Sequence, residues 1–226
     1  MRGDSPDFAV AVRAALGSIL LAAGLLSPGA CPAASLSIAP FAEALSPDSH
    51  LADYRWDVSV RPAFGVAAHA AVGRIEPGVR WWRASTEQGT GIPGQELGLD
   101  VTLTGMEGTA RYALAQVAGV RLLALGSAGA LRIGWSPSTL TIDAGGEPIT
   151  VAFESVTEPV FGVGFGVGRD IGHGLALTVG AERRWFALDT AHRSGSEIVE
   201  GRENFGNWVA RIELAHTILD IGGNEP

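Results

Sequence analysis

The chain has 226 residues, 46% of them hydrophobic, and a formal net charge of −8 carried without any lysine. An acidic balance with no basic run argues against nucleic acid as a partner. The single cysteine, Cys31, excludes an intramolecular disulfide, and no apolar stretch beyond the N-terminal segment reaches the ~18 residues of a helical membrane span.

Residues 1–34 read as an export signal. Arg13 precedes the apolar run Ala14 to Leu26, which falls short of the ~20 residues a spanning helix needs. Small residues follow at Ala30, Ala33 and Ala34, placing cleavage near residue 33 or 34. Asp4 and Asp7 offset the positive charge that usually leads such a segment. Pro28 stands where a lipobox carries leucine, so Cys31 is expected to leave with the signal, as is the Arg2-Gly3-Asp4 triplet. About 190 residues remain, enough for one all-β domain.

Residues 35–54 are expected to be an N-terminal tail or an extra strand over Ser35–Leu45, and 55–219 the main domain. Strands are expected at Arg55–Ala68 and Arg74–Ser85. Further on, Leu97, Leu99, Val101 and Leu103 oppose Gly98, Asp100, Thr102 and Thr104. Alternate side chains of a strand face opposite ways, so these form an oily and a polar face. The apolar residues of Arg111–Leu125 fit neither period, and the neighbouring strands alone suggest one there. Leu131, Ile133 and Trp135 oppose Arg132 and Gly134, and beyond Ser136-Pro137 the phase moves to Leu140 and Ile142, as at a bulge.

The strongest alternation lies between Ile149 and Gly168. Odd positions carry Ile149, Val151, Phe153, Phe161, Val163, Phe165 and Val167; even ones carry Thr150, Glu154, Glu158 and glycines, with a less clean middle where Ser155, Thr157 and Pro159 are odd and Val156 and Val160 even. A span of about 20 residues exceeds the usual strand of roughly 5–6. Leu175–Leu188 and Asn204–Leu219 repeat the pattern, with Glu182, Arg184, Arg211 and Glu213 on their polar faces. Eight strands are expected, starting near Arg55, Arg74, Leu97, Thr109, Gly129, Ile149, Leu175 and Asn204; ten is the alternative if the N-terminal segment contributes. Short turns are expected at Gly126–Gly129 and Arg169–Gly174, and a long charged loop at Thr190–Glu203. Thr86–Glu96 is a long link on what that count makes the short-turn side, and 220–226 is a C-terminal tail.

Long amphipathic strands without spanning helices predict a transmembrane β-barrel, since only helices and closed sheets satisfy every backbone group in hydrocarbon. The oily faces then point outward and the polar faces inward. The expected lumen network is Arg132, Glu154, Glu158, Glu182, Arg184, Arg211 and Glu213, whose opposite charges neutralise one another in an interior too narrow for a wide channel. Trp185 and Trp208 are expected in an interfacial girdle, with the outward Arg183 beside them at the rim. A soluble periplasmic β-sandwich or calycin-like binding protein is the alternative; it would bury those tryptophans and wet the charges.

The runs Phe-Gly-Val-Gly-Phe-Gly-Val-Gly (161–168), Arg-Asp-Ile-Gly-His-Gly (169–174) and Leu-Ala-Leu-Thr-Val-Gly-Ala-Glu (175–182) resemble the small bacterial outer-membrane β-barrel superfamily. The resemblance is one of pattern and covers residues 55–219. It implies an antiparallel barrel set in outer-membrane lipid and inserted from the periplasm by the barrel-assembly machinery. Such proteins usually end on a strand with a terminal aromatic, whereas here Asp220–Pro226 follows Leu219.

No catalytic, metal or cofactor site is expected. His50, His69, His173, His192 and His216 are scattered without metal-ligand spacing, and His173 suits a tight turn. No GxSxG element is present. His192 with Ser194 or Ser196 could imitate the Ser/His pair of a lipid-modifying barrel enzyme, but loops are rich in such residues. Gly89-Thr-Gly91-Ile-Pro-Gly94 matches GxGxxG yet opens onto a strand, not a phosphate-binding helix N-terminus. Glu154 and Glu158 suit salt bridging better than acid–base work. The expected function is a structural, adhesive or narrow transport role; an envelope-lipid-modifying barrel enzyme is the alternative within the fold.

Overall fold

The structure, a computed structural model, describes residues 34–90, 97–143, 148–194 and 197–221. In chain order these form β1 (Ala34–Ser46), a 3-10 helix (Ser49–Tyr54), β2 (Arg61–Val72), β3 (Ile75–Gly89), β4 (Gly98–Val117), β5 (Val120–Ser136), β6 (Thr139–Asp143), β7 (Pro148–Ala152), β8 (Val156–Gly172), β9 (Leu175–Ser194) and β10 (Glu197–Ile221). Eight strands close into a barrel in the order β1-β10-β9-β8-β5-β4-β3-β2, while β6 and β7 pair as a separate ribbon. Neighbouring strands are antiparallel, and β1 with β10 completes the ring. A closed ring of this kind with a charged interior excludes the sandwich alternative.

One end of the barrel is built from tight turns. Ala118 and Gly119 (φ 50° and 77°) and His173 and Gly174 (φ 54° and 72°) take left-handed conformations, the geometry that matches the twist of a two-residue hairpin. Both described chain ends meet here, since Ala34 pairs with Ile221. The opposite end carries the long connections and the β6–β7 ribbon.

Eight strands were expected, and eight close the ring, but they divide the chain differently. The segment expected as a tail or extra strand is β1, hydrogen-bonded between β10 and β2. The starts expected at Leu97 and Thr109 belong to one strand, β4. Arg55 is the left-handed C-cap of the 3-10 helix, and β2 begins at Arg61. Gly126–Gly129 lies within β5, and the turn is instead Ala118–Gly119. Arg111–Leu125 thus contains two strand ends and a turn, which is why no single period fits it. The long Ile149–Gly168 run divides into β7, in the ribbon, and β8, in the wall. Thr190–Glu203 is no loop: β9 and β10 continue as a hairpin, paired as far as Ser194 and Glu197. The expected signal segment and most of the GxGxxG match lie outside the described residues.

The wall exchanges its polarity part-way along the strands. Near the turn end β4 shows Met106, Ala110 and Tyr112 outward and buries Glu107 and Arg111. Towards the loop end, without a slip in alternation, it buries Leu99, Val101 and Leu103 and turns Asp100, Thr102 and Thr104 outward. β5 does the same: Leu131 and Ile133 are 1% and 0% exposed, and Arg132 between them is on the outside. The sequence-based assignment of these oily faces to the exterior is therefore corrected. Oil outside requires apolar side chains out, and water outside requires them in. The exchange marks where the barrel leaves the bilayer.

Phe165, 66% exposed on β8 within the apolar belt, tests this boundary. Replacing Phe165 with Arg should cost roughly 2–4 kcal/mol of folding free energy, against about 0–1 for Thr102→Arg on the outward face beyond the belt. Denaturant unfolding in lipid vesicles measures both; equal costs would move the boundary.

Candidate functional site: a sealed lumen

Inside the belt, inward positions of five strands bring their charges together. The guanidiniums of Arg80 (β3), Arg184 (β9) and Arg211 (β10) meet the carboxylates of Glu43 (β1), Glu107 (β4) and Glu182 (β9), giving a neutral layer. Arg184, only 2% exposed, donates to both oxygens of Glu43 at 2.9 and 2.6 Å. Arg80 donates to Glu182 at 2.8 and 2.7 Å and to Glu107 at 2.5 Å. Arg211 lies 3.5 Å from Glu43 and 3.4 Å from Glu182. Neutral donors occupy the remaining lone pairs: Ser127 Oγ donates to Glu182 at 2.6 Å and Trp82 Nε1 to Glu107 at 2.5 Å. The Arg184 guanidinium sits 4.9 Å over the Trp82 ring, a desolvated cation–π contact.

Two inward glycines provide the room. A Cβ at Gly162 would stand 2.0 Å from Glu182 Oε1, and one at Gly105 would stand 2.1 Å from Trp82 Nε1. Gly162 of β8 thus makes space for the Glu182 carboxylate of β9, and Gly105 of β4 for the Trp82 ring of β3.

A second charged layer lies nearer the turn end. Arg111 pairs with Glu213, His69 Nε2 lies 3.4 Å from Glu213, and Arg121 pairs with Glu76 at 2.5 Å. On the loop side, the neutral layer is covered by Leu45, Leu103, Leu131, Val160, Phe186 and Phe205. The β1–β2 connection closes this apolar plug by dropping Leu51 and Trp56 into it, where both are buried.

That connection is tied down as a strap. The Asp48 backbone N–H donates to Asn207 Oδ1 at 2.9 Å, and the Asp48 carboxylate accepts from Gly206 N–H at 2.8 Å and His50 N–H at 3.0 Å. Asp57 N–H donates to Glu87 O, and Gly89 N–H to Arg55 O. Gln88 accepts from Trp135 Nε1 at 2.7 Å and donates to Tyr54 O at 3.2 Å. Burial pushes the Asp48 carboxyl upward, but the Gly206 and His50 hydrogen bonds outweigh it and hold it below its ordinary 3.8.

Of the residues expected in the lumen, Glu182, Arg184, Arg211 and Glu213 are buried in these layers. Glu158 is inward near the loop end and pairs with Arg202, away from that cluster. Arg132 and Glu154 are exposed outside the barrel, a correction with a definite cause. Arg132 lies where the wall has reversed its polarity, and Glu154 lies between β7 and β8. Glu43, Arg80, Glu107, Arg111 and His69 complete the network. Each of them alternates with an outward apolar or small residue, but pattern alone does not separate β1 or the lower half of β4 as strands. Trp208 is outward and exposed, and it pairs across strands with Ser46, the last residue of β1. Arg183 lies 5.7 and 5.5 Å over the rings of Trp185 and Trp208. The side chains of His192 and Ser194, and all of Ser196, lie outside the described residues.

Two outcomes follow from the site. Replacing Glu182 with Leu leaves Arg80 short of its double partner and should destabilise the barrel by about 3–5 kcal/mol, read by denaturant unfolding in detergent; a loss below about 1 kcal/mol would mean the layer is not a coupled unit. The strap has an acid limit. Because Asp48 has a lowered folded-state pKa, its contribution is complete above the unfolded value of about 3.8 and is lost as pH falls through the folded value. The protection factor for hydrogen exchange at the Leu51 amide should fall as pH drops below about 3.8, and Asp48→Asn should abolish that dependence.

No protein-family model matches the chain, and no curated protein matches it in sequence. Solved structures do match. Neisserial surface protein A (NspA), from Neisseria, is 14% identical with a TM-score of 0.54, covering 82% of this chain and 99% of that one. A major outer membrane protein from Thermus thermophilus is 11% identical with a TM-score of 0.48, covering 82% and 99%. Ail, the attachment invasion locus protein of Yersinia pestis, is 14% identical with a TM-score of 0.38, covering 81% and 98%. At these identities the likeness is one of fold. The chain is an eight-stranded antiparallel transmembrane barrel with the fold of the small bacterial outer-membrane β-barrel proteins.

Proposed function

We propose that this protein is a non-conducting outer-membrane barrel with a structural role, presenting its loop end at the cell surface for adhesion. The observation that carries the reading is the lumen. An ion crossing it would have to separate the buried pairs around Arg80, Arg184 and Arg211 and then pass an apolar plug closed by Leu51 and Trp56. Separating a buried pair leaves an uncompensated charge, at about 3–5 kcal/mol each. These layers disfavour the narrow-transport reading.

The loop end supports display. β1 stops at Ser46, level with Trp208, whereas β10 is paired back to Glu197. At ~3.4 Å per residue this hairpin runs on by roughly 35 Å along the strand, beyond the tryptophans at the rim. Strand pairing keeps such an arm stiff, and stiffness reduces the entropy lost when it docks. In this reading the turn end and both described chain ends face the periplasm, from which the assembly machinery would insert the barrel.

Purified protein in planar bilayers should show no steady ion current, and sustained single-channel steps would overturn the closed reading. Joining Leu188 to Glu203 through a two-residue turn should keep the heat-modifiable folded band. It should also lower the adhesion of displaying cells to glycan- or protein-coated surfaces to background; unchanged adhesion would remove the display role.

A further inference from the structure

The outer face of β2 and β3 carries an open groove of about 710 Å³, lined by the apolar Phe64, Val66 and Trp81 and by the cations Arg61 and Arg83. The register places it at the edge of the membrane belt. One cross-strand row, Val66–Trp81–Met106–Ala130–Pro159, is wholly apolar. The next outward-facing row towards the loop end is Phe64–Arg83–Thr104–Arg132–Thr157. From Ile75, beside the turn, to Arg83 the wall rises roughly 20 Å at ~3.4 Å per residue and a tilt of about 40°. Arg83 therefore stands near the far side of an apolar belt about 25 Å tall.

The outward cations at this edge of the belt differ in what engages them. Arg61 is engaged by Asp57, and Arg183 lies over Trp185 and Trp208. Arg83 and Arg132 have no ion pair, hydrogen bond or ring contact among the described residues. They stand two strands apart, about 10 Å along the row, with only the Thr104 hydroxyl between them. Two like charges on one face repel unless an anion lies between them, and a guanidinium binds a phosphate through paired N–H groups.

We propose that this face binds an anionic phospholipid. Its acyl chain lies against Phe64, Val66 and Trp81, and its headgroup phosphate is held by Arg83, with Arg132 as the second cation. Charge complementarity selects the occupant, since a zwitterionic lipid brings its own cation to a site already holding two. The site is separate from the sealed lumen and from the surface hairpin. It rests on bilayer insertion, which recovery of folded protein in lipid nanodiscs reads independently.

The test uses folded full-length protein in a zwitterionic detergent, with bound lipid counted by native mass spectrometry after incubation with equal amounts of phosphatidylglycerol and phosphatidylcholine. Wild type should retain phosphatidylglycerol at least about fivefold over phosphatidylcholine. The double variant R83Q/R132Q should lose that preference while keeping its heat-modifiable folded band. Trp81→Ala should reduce retention of both lipids alike, because it removes acyl contact and leaves the cations. R74Q, at a turn on the opposite edge, is the control and should behave as wild type. Equal retention of the two lipids by wild type would overturn the proposal, as would an unaltered preference in R83Q/R132Q. So would displacement of the lipid by millimolar inorganic phosphate, which would make this a site for a free anion.

Discussion

Neutralisation inside a narrow wall is the constraint on which the rest of this structure depends. A strand in hydrocarbon turns one face to lipid and the other to the lumen, and charges carried on the inner face have no bulk water to return to. Here Glu43, Arg80, Glu107, Glu182, Arg184 and Arg211 come from five different strands, yet their guanidiniums and carboxylates balance. Pairs link strands distant in sequence, such as Arg184 with Glu43. The network therefore favours one register over its alternatives, because a one-residue slip would carry a charge onto the lipid face.

The second organising fact is that the exterior is not uniform. The same strand, β4, follows the membrane rule below Gly105 and the soluble-barrel rule above it. The inner face changes in step, from charged layers to the apolar plug of Leu103, Leu131 and Phe186. An interior packed in this way needs no ligand to hold it shut. The strap through Asp48, Leu51 and Trp56 adds a cap from the loop end, fixed by backbone hydrogen bonds to β3 and by the Asn207 and Asp48 side chains, which accept from backbone N–H groups, at β10.

Function follows from where the chain remains unsatisfied. In the principal layer of the lumen every guanidinium has a carboxylate beside it, which favours a scaffold over a channel. Outside the barrel, Arg83 and Arg132 stand without an ion pair among the described residues at the edge of the belt, and the β9–β10 arm extends beyond it. Lipid and surface contacts are the interactions those features are suited to make.

Alternation by itself determined a great deal. The barrel class, the inward Glu182, Arg184, Arg211 and Glu213, the outward Phe161 to Val167 and the tight turn at His173–Gly174 were all legible, because a two-residue period acts locally and leaves its mark in neighbouring positions. Period two names two faces but does not say which side is wet. That is why pattern alone turns Leu99, Val101, Leu103, Leu131 and Ile133 outward, and Arg132 inward. Only closure of the ring decided it, by showing which segments lie beyond the belt. Closure also made a strand of Ala34–Ser46, whose hydrogen bonds go to β10 at the far end of the chain. Partner choice over such separations depends on register and charge pairing in three dimensions, and no local pattern carries that information.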